Sequence, residues 1–416
     1  MKPTFLAILL LQSVAFAGNQ IQVSLSDVVK RVSENNYNVY ENALKVYQAK
    51  INIEKARADM LPKLNIWGIA KIIIDPISVI DQVSDVAPFL VPTNWFRLEQ
   101  VKLLYLAEKE GYRALWGNEL NSAKSLYVHL LFDQNLLAHV QNSIEELQKI
   151  YRIALTRENF GGARPGTARD IEIKMLGLKE DEQNLITLLS IEHDQLSYAL
   201  GYTSNIELFL DPVILPNLEN ATPIYVNDYE FRVLSSSPER RQFDHFLSAL
   251  SQVKKEIEYS FLGSSNISRG VAGGIFDGLP SGTGLGFGNG SALKIIDAQR
   301  QLMQTQKLGI EEVLKRQLRA VAIQYNSDVT SFSNFKRRVE LSRDARNSLL
   351  RRIQLGENID VLELSDVSRN QIQAEAALLS VGYRTLNSLD RLNRLIFDGD
   401  YTLNPPLIDS LKGNKP

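Results

Sequence analysis

The sequence predicts a mainly α-helical protein, built from long antiparallel coiled-coil helices in two tandem repeats. Three observations predict this fold class. One stretch without proline is long enough for a single very long helix, apolar residues recur along it every seven residues, and the same order of segments returns in the second half of the chain. We expect a signal peptide at 1–17, the repeats at 18–212 and 213–397, and a C-terminal tail at 398–416.

The longest predicted helix runs from about Phe96 to Arg157, because no proline follows Trp95 until Pro165. A coiled-coil seam lies within it, and only one of its ten positions, Asp133, is polar. The seam consists of Ala123, Leu130, Leu137, Ile144 and Tyr151, with Leu126, Asp133, Val140, Leu147 and Ala154 three residues after each. At 1.5 Å rise per residue this helix is roughly 90 Å long, so other long helices must lie along it.

Two shorter helices complete the first repeat. One is expected from Ser26 to Met60, where Pro62 ends it, and the other from Ile171 to Leu200, where Gly201 supplies the stop. The turn-rich residues 159–166 connect the long helix to the second of these. The long helix and the helix from Ile171 to Leu200 should therefore form an antiparallel hairpin.

The second half follows the same plan. A helix from Tyr229 to Phe261 matches the first helix, and the proline-free stretch from Ala292 to Arg352 matches the long helix. A last helix is expected to run to about Ile396, opened by Gly356-x-x-x-Asp360, which matches Gly166-x-x-x-Asp170. An alternative explanation for the likeness of the two halves is that long helices resemble one another in composition. The shared order of elements and turns favours a duplication.

The N-terminus predicts export. Met1-Lys2-Pro3 precedes an apolar run from Thr4 to Phe16, and the small-residue pattern Ala15-Phe16-Ala17 indicates cleavage after Ala17. The chain has no cysteine, which excludes a lipid-modified cysteine anchor, a disulfide framework and any metal site with thiolate ligands.

Charge and motifs argue against the other large functional classes. A net charge of -2 leaves no excess of positive charge to hold nucleic acid. The four histidines lie in predicted helices without HExxH spacing, and the glycines of 282–290 fit neither a dinucleotide fingerprint nor a phosphate loop. We therefore expect no enzyme, no cofactor and no metal site.

Two segments carry a family resemblance. Residues 56–64, Ala-Arg-Ala-Asp-Met-Leu-Pro-Lys-Leu, end the first helix, and residues 355–363, Leu-Gly-Glu-Asn-Ile-Asp-Val-Leu-Glu, form the second turn. With the doubled helical plan, the chain from about Ile21 to Phe397 resembles the TolC-type outer-membrane efflux proteins, or outer membrane factors.

The resemblance implies a homotrimer. Six repeats would supply twelve helices to an α-helical barrel in the periplasm and twelve strands to a β-barrel in the outer membrane. The implied function is a passive exit duct for efflux or type I secretion, which works with an inner-membrane pump through a periplasmic adaptor.

The resemblance also implies a site. It places the periplasmic aperture at the turns 159–170 and 355–363, with Asp170, Asp360 and Glu363 as the acids that line it, and it makes Gly166 and Gly356 the tip glycines and candidate adaptor contacts. Acids in a first helical turn also stabilise the helix N-terminus, by about 0.5–2 kcal/mol. The two roles are compatible.

The segments 64–94 and 263–291 are the expected β-hairpins, and neither alternates cleanly as a membrane strand would. Prolines interrupt the first segment, and glycine dominates the second. Two alternatives stay open. Either the segments complete a barrel in the outer membrane, or the barrel is reduced or missing and the protein is a soluble or peripheral periplasmic tube with a structural or interaction role.

Overall fold

The computed structural model of the chain describes residues 20–61, 88–203, 206–265, 267, 278–282, 288–354, 361–403 and 405–406. The predicted signal peptide lies outside these ranges, as do most residues of the two strand-like segments. Helices dominate the described ranges, which confirms the predicted mainly α fold class.

The first half contains a short helix pair and a long hairpin. Helices α1 (Leu25–Asn35) and α2 (Tyr37–Asp59) come first, followed by α3 (Pro92–Asn159) and α4 (Thr167–Ala199). Helix α3 has 68 residues, so the predicted long helix is confirmed. It begins earlier than expected, at Pro92, because the fixed φ of proline suits the first helical position.

The second half follows the same order. It contains α5 (Val226–Ser236), α6 (Pro238–Glu258), α7 (Asn289–Gln354) and α8 (Val361–Ile396). Helix α7 has 66 residues, close to the length of α3. This order and these lengths are what a duplicated plan predicts. Within the described ranges, none of the helices combines the length and the apolar composition that a membrane crossing requires.

Two helices that the sequence predicts as continuous are each broken by one residue, so those predictions were wrong. Ser237 has ψ of 118° because Pro238 disfavours helical backbone at the residue before it, and the Ser237 hydroxyl then caps α6 by accepting from Arg240 N at 3.1 Å. Asn36 has ψ of 127°, and its side-chain amide donates to Ala199 O in α4 at 2.9 Å. The break at Asn36 is thus accompanied by a contact that is distant in sequence.

A short parallel strand pair joins distant parts of the chain. Strand β1 (Gln20–Val23) pairs with β2 (Glu207–Leu210), with Gln20 opposite Glu207 and Val23 opposite Leu210. The Tyr127 hydroxyl of α3 lies 3.0 Å from Val23 O and 2.7 Å from Asp211 O. Helix α3 therefore supports the end of both strands.

The chain divides into two compact units. The first consists of Met1–Asn36, Glu119–Asp228 and Arg319–Arg394, and the second of Tyr37–Asn118, Tyr229–Leu318 and Leu395–Pro416. Each unit combines segments from both halves of the chain. The units are a division by contact, whereas the repeats are a division of the sequence, so the repeat boundaries stay a prediction.

The predicted seam of α3 lies in the core of the first unit. All ten seam positions are buried or half-buried, which confirms the seam. The polar member, Asp133, is only 8% exposed. A carboxylate thus occupies a position that the packing reserves for apolar side chains.

The second unit has its own apolar core, to which three long helices contribute. Its buried members are Leu104 and Ala107 of α3, Phe246, Ala249, Leu250, Val253 and Ile257 of α6, and Ala292, Ile296 and Met303 of α7. Two residues near the C-terminus, Tyr401 and Pro406, pack in this unit too. Tyr401 is fully buried with its ring edge-on to Trp116, and Tyr112 Oη donates to Pro406 O at 2.9 Å.

Candidate functional site

The first predicted tip is a tight turn between α3 and α4 in the first unit. Gly161 and Gly166 have φ of 71° and 92°, in the left-handed region that glycine adopts readily. Gly162 N donates to Arg157 O at 2.7 Å to close α3, and Asp170 N donates to Gly166 O at 3.0 Å to open α4. The backbone conformation therefore explains why glycine is found at 166.

Glu158, at the end of α3, holds the beginning of α4. Its Oε1 accepts from Gly166 N at 2.5 Å and its Oε2 accepts from Ala168 N at 3.1 Å. These two backbone hydrogen bonds, with a smaller contribution from the charge of Arg169, hold the pKa of the Glu158 carboxyl below its usual value. One carboxylate thus closes the turn by satisfying amides that the start of a helix leaves unbonded.

Two of the three predicted aperture acids lie in first helical turns. Asp170 is in the first turn of α4 and Glu363 in the first turn of α8, and both are exposed. The N-cap of α4 is Gly166, which has no side chain, so Asp170 contributes to the helix start by its position along the helix dipole. Asp360 and Gly356 lie outside the described residues.

Four helix ends share one apolar core next to these turns. Its buried members are Leu147, Ile150 and Ala154 of α3, Ala168 and Ile171 of α4, Leu349 of α7 and Leu364 of α8. The end of α3 and the beginning of α4 therefore pack with the end of α7 and the beginning of α8. The structure thus brings together the helix ends that flank both predicted turns, and with them Asp170 and Glu363.

Ion pairs connect the same four helices around this core. Glu146 of α3 pairs with Arg346 of α7 at 2.6 Å. Arg343 of α7 pairs with Glu375 of α8 at 2.8 Å, and Lys174 of α4 pairs with Asp366 of α8 at 2.5 Å. Each pair is partly exposed, so each contributes on the order of 0–1 kcal/mol and serves mainly to fix the register of the helices.

A groove of about 640 Å³ runs between α3, α4 and α8 beside this core. Its lining mixes apolar side chains such as Leu178 and Ile372 with charged ones such as Glu180 and Arg369. Gly177 lies in its wall, and a methyl group added there would meet nothing within 4 Å. The groove is therefore mixed in polarity and has free space beside Gly177.

Sequence reasoning missed several residues of this site. Glu158 gave no signal, because a glutamate at a helix end is common and its acceptor role depends on how the turn folds back. The partner of Glu146 lies 200 residues away in the sequence, and no local pattern links the two.

The chain gave no match to models of protein families and none to curated proteins. Solved structures do match. The outer-membrane channel OprN has a TM-score of 0.71 at 14% identity, over 91% of this chain and 90% of that chain. CusC, whose structures describe transmembrane channel formation, has a TM-score of 0.69 at 13% identity, over 93% of this chain and 94% of that chain. The open state of the Neisseria gonorrhoeae outer membrane channel MtrE has a TM-score of 0.65 at 15% identity, over 89% of this chain and 88% of that chain.

These matches define the class of the fold: the chain has the fold of the outer-membrane factor channels. At 13–15% identity the likeness establishes the fold itself. The resemblance to the TolC-type outer-membrane efflux proteins, inferred from the helical plan and the turns, is confirmed at that level.

Proposed function

We propose that the protein is an outer-membrane duct that passively conducts molecules exported by an inner-membrane pump. In this proposal it is a homotrimer, it is delivered by its signal peptide, and a periplasmic adaptor connects it to the pump. The observation that carries the proposal is the match of its fold to outer-membrane channels over about nine tenths of each chain. These structural neighbours are channels, which also supports a protein without catalytic activity.

An exposed apolar stripe on α4 supports the oligomer. It consists of Ile173, Leu176, Leu188, Ile191 and Tyr198, each between 41% and 60% exposed. Counting from Ile173, the others follow after 3, 15, 18 and 25 residues, each close to a whole number of 3.6-residue turns, so they share one face. A single chain leaves this face in water. Packing against a second copy would bury it.

The tip acids fit a cation-attracting aperture in this proposal. Asp170 and Glu363 are exposed at adjoining helix ends, where carboxylates repeated by three copies would form a ring of negative charge. Glu158 is unsuited to that role because it is occupied with the α4 amides. Gly166 would shape the tip that faces the adaptor.

Deletion in the native bacterium tests the duct. We expect the deletion strain to accumulate dyes and detergents, or to lose secretion of an exported protein, and the wild-type chain supplied in trans to restore transport. Unchanged efflux and unchanged secretion in the deletion strain would refute the duct. Fractionation separates the alternative: a mature protein that stays monodisperse without detergent would be a periplasmic tube.

Single-channel recording tests the aperture. We expect the purified protein to conduct in planar bilayers with a preference for cations, and the double variant Asp170→Asn with Glu363→Gln to lose most of that preference. Asp194→Asn is the matched control, because Asp194 is an exposed carboxylate at the other end of α4. Equal selectivity in all three proteins would remove the aperture role from these residues.

A further inference from the structure

One long face of α7 in the first unit is exposed, partly apolar and positively charged. We propose that this face receives the exposed stripe of α4 from the next copy of the chain, with Glu180 of that copy against Arg337. Each copy then contributes α4 to one contact and α7 to the next. The inference rests on the proposed homotrimer and names the two surfaces that build it.

The open face of α7 consists of exposed residues on one side of the helix. They are Ile323, Thr330, Arg337, Leu341 and Ser348. Counting from Ile323, the others follow after 7, 14, 18 and 25 residues, each close to a whole number of 3.6-residue turns. Ile323 is 70% exposed and Leu341 is 51% exposed, so a single chain leaves apolar surface in water here as it does on α4.

The charges on the two faces are complementary. Arg338 is an exposed neighbour of Arg337 without an ion-pair partner among the described residues, and Arg337 pairs with Glu340 of its own helix at 3.1 Å. On α4, Glu180 follows Ile173 by 7 residues, about two turns, and therefore lies within the stripe. Glu180 is exposed, and it too lacks an ion-pair partner in the described part of the chain. Complementary charges of this kind steer association and fix its register.

The packing of the four helices leaves these two faces available. Helices α3 and α8 contact each other, since Asn135 Nδ2 donates to Tyr383 Oη at 3.0 Å. Helix α4 is bonded to α3 by Gln141, which donates to Glu182 at 3.0 Å, and the ion pairs described above connect α4 to α8 and α7 to both α3 and α8. Helices α4 and α7 thus both pack on α3 and α8, and each exposes its remaining side.

A cavity lies on the open face of α7 at the arginines. It measures about 400 Å³, and its lining includes Arg337, Arg338 and Leu341 of α7 together with Val367 and Asn370 of α8. Packed helices insert the side chains of one into the spaces between those of the other. The cavity therefore provides room for side chains that project from a facing helix.

The two faces also match in level along the helices. Ile171 of α4 and Leu349 of α7 share the core next to the turns, and α4 runs away from the turns while α7 runs toward them. Glu180 lies 9 residues beyond Ile171 and Arg337 lies 12 before Leu349, so the two are within one turn of the same level. In a ring of copies with the long helices along its axis, rotation keeps each residue at its level. Glu180 of one copy therefore meets Arg337 of the next.

Cysteine crosslinking tests this contact, because the chain has no cysteine of its own. By the same count from the shared core, Ile191 of the α4 stripe lies 20 residues out and Thr330 of the open face lies 19 out, so the two are level. We expect the full-length double variant Ile191→Cys with Thr330→Cys, treated in detergent with a short bismaleimide, to give crosslinked dimers and trimers on a denaturing gel. Each single variant should give neither.

The matched control keeps Ile191→Cys and combines it with Ser348→Cys. Ser348 is also on the open face, but it lies 18 residues, roughly 27 Å, closer to the turns than Thr330, so this pair should not crosslink. Equal crosslinking of the control pair, or crosslinking of Ile191→Cys alone, would overturn the inference. Wild-type trimers in native mass spectrometry without crosslinking of the level pair would refute the contact between α4 and α7 and leave the homotrimer intact, whereas a wild type without trimers would refute the homotrimer as well.

Charge exchange tests the pairing of Glu180 with the arginines. Glu180→Arg should lose most of its trimers in native mass spectrometry, and the triple variant with Arg337→Glu and Arg338→Glu should regain them. Asp181→Arg is the matched control, because Asp181 is exposed but lies about 100° around the helix from Glu180 and so off the stripe. It should remain trimeric. A triple variant that stays dissociated beside a trimeric Asp181→Arg would overturn the pairing.

Discussion

Gly166 and Gly177 show how one residue type has opposite roles within the same hairpin. Gly166 has φ of 92° at the start of α4, where an L side chain is strained. Gly177 lies within α4, and an added methyl group would meet no atom within 4 Å. Glycine is therefore needed at the first position, whereas at the second it weakens the helix.

We expect the same substitution to have opposite effects at these two positions. Gly166→Ala should destabilise by about 1 kcal/mol or more, because alanine resists positive φ. Gly177→Ala should stabilise by about 0.5–1 kcal/mol, because alanine has the higher helix propensity. Thermal unfolding of the two variants beside the wild type measures both. Shifts of the same sign would contradict the assignment.

Glu158 predicts an acid-sensitive tip. Because its folded pKa is depressed, its stabilisation is present above the ordinary value of 4.5 and is lost as the pH falls through the folded pKa. In hydrogen exchange corrected for intrinsic rates, Glu158→Ala should speed exchange at Gly166 and Ala168 near neutral pH, and the wild type should approach the variant in acid.

The matched control for this experiment is Glu145→Ala, an exposed glutamate of α3. It should leave exchange at the turn unchanged. Equal protection of the two amides in Glu158→Ala and wild type would show that the carboxylate does not hold the turn.

At the scale of elements, the sequence predicted the helices well and their interruptions poorly. The ends of α3 and α7 fall within four residues of the predicted ends, because a seven-residue pattern over many turns and the absence of proline are strong signals. Pro238 was a usable signal for the break at Ser237 and was overlooked. The break at Asn36 was not predictable, since its side-chain partner Ala199 lies in another helix.

The short elements were beyond prediction for a related reason. Strands β1 and β2 have four residues each, too few for a periodic signal, and each is completed by a partner 187 residues away. The Gly-x-x-x-Asp pattern predicted a helix start next to Asp170, and the structure has Asp170 in the first turn of α4. The aperture role of the acids stays a prediction. The contacts around these helix starts could not be predicted, because they join helices that are distant in sequence.

Tyr401, near the C-terminus, is part of the packing of the second unit. Tyr401 is fully buried against Trp116, so Tyr401→Ala should cost about 3–5 kcal/mol, the range for removing a large buried aromatic side chain. Tyr225→Ala, at an exposed tyrosine, should change stability by no more than about 0.5 kcal/mol. Denaturant unfolding compares the two, and similar small losses would mean that the C-terminal segment packs only loosely.

At the scale of the whole molecule, the exposed stripe of α4 predicts assembly. Ile191→Lys places a charge within this stripe, between Leu188 and Tyr198, whereas Ser190→Lys makes the same change at an adjacent exposed polar residue. Native mass spectrometry in detergent should find trimers of the wild type and of Ser190→Lys, and smaller species of Ile191→Lys. Intact trimers of a double variant, Ile191→Lys with Tyr198→Lys, would exclude this face from the interface.

The pairing of β1 with β2 also sets an order of events in time. Gln20 cannot pair with Glu207 until the intervening chain has been synthesised, and the first unit needs residues as late as Arg394. Closing so long a loop is slow compared with forming a local hairpin such as α3 and α4. The N-terminal strand must therefore stay unpaired until then, and we expect its docking among the last steps in the folding of a newly synthesised chain.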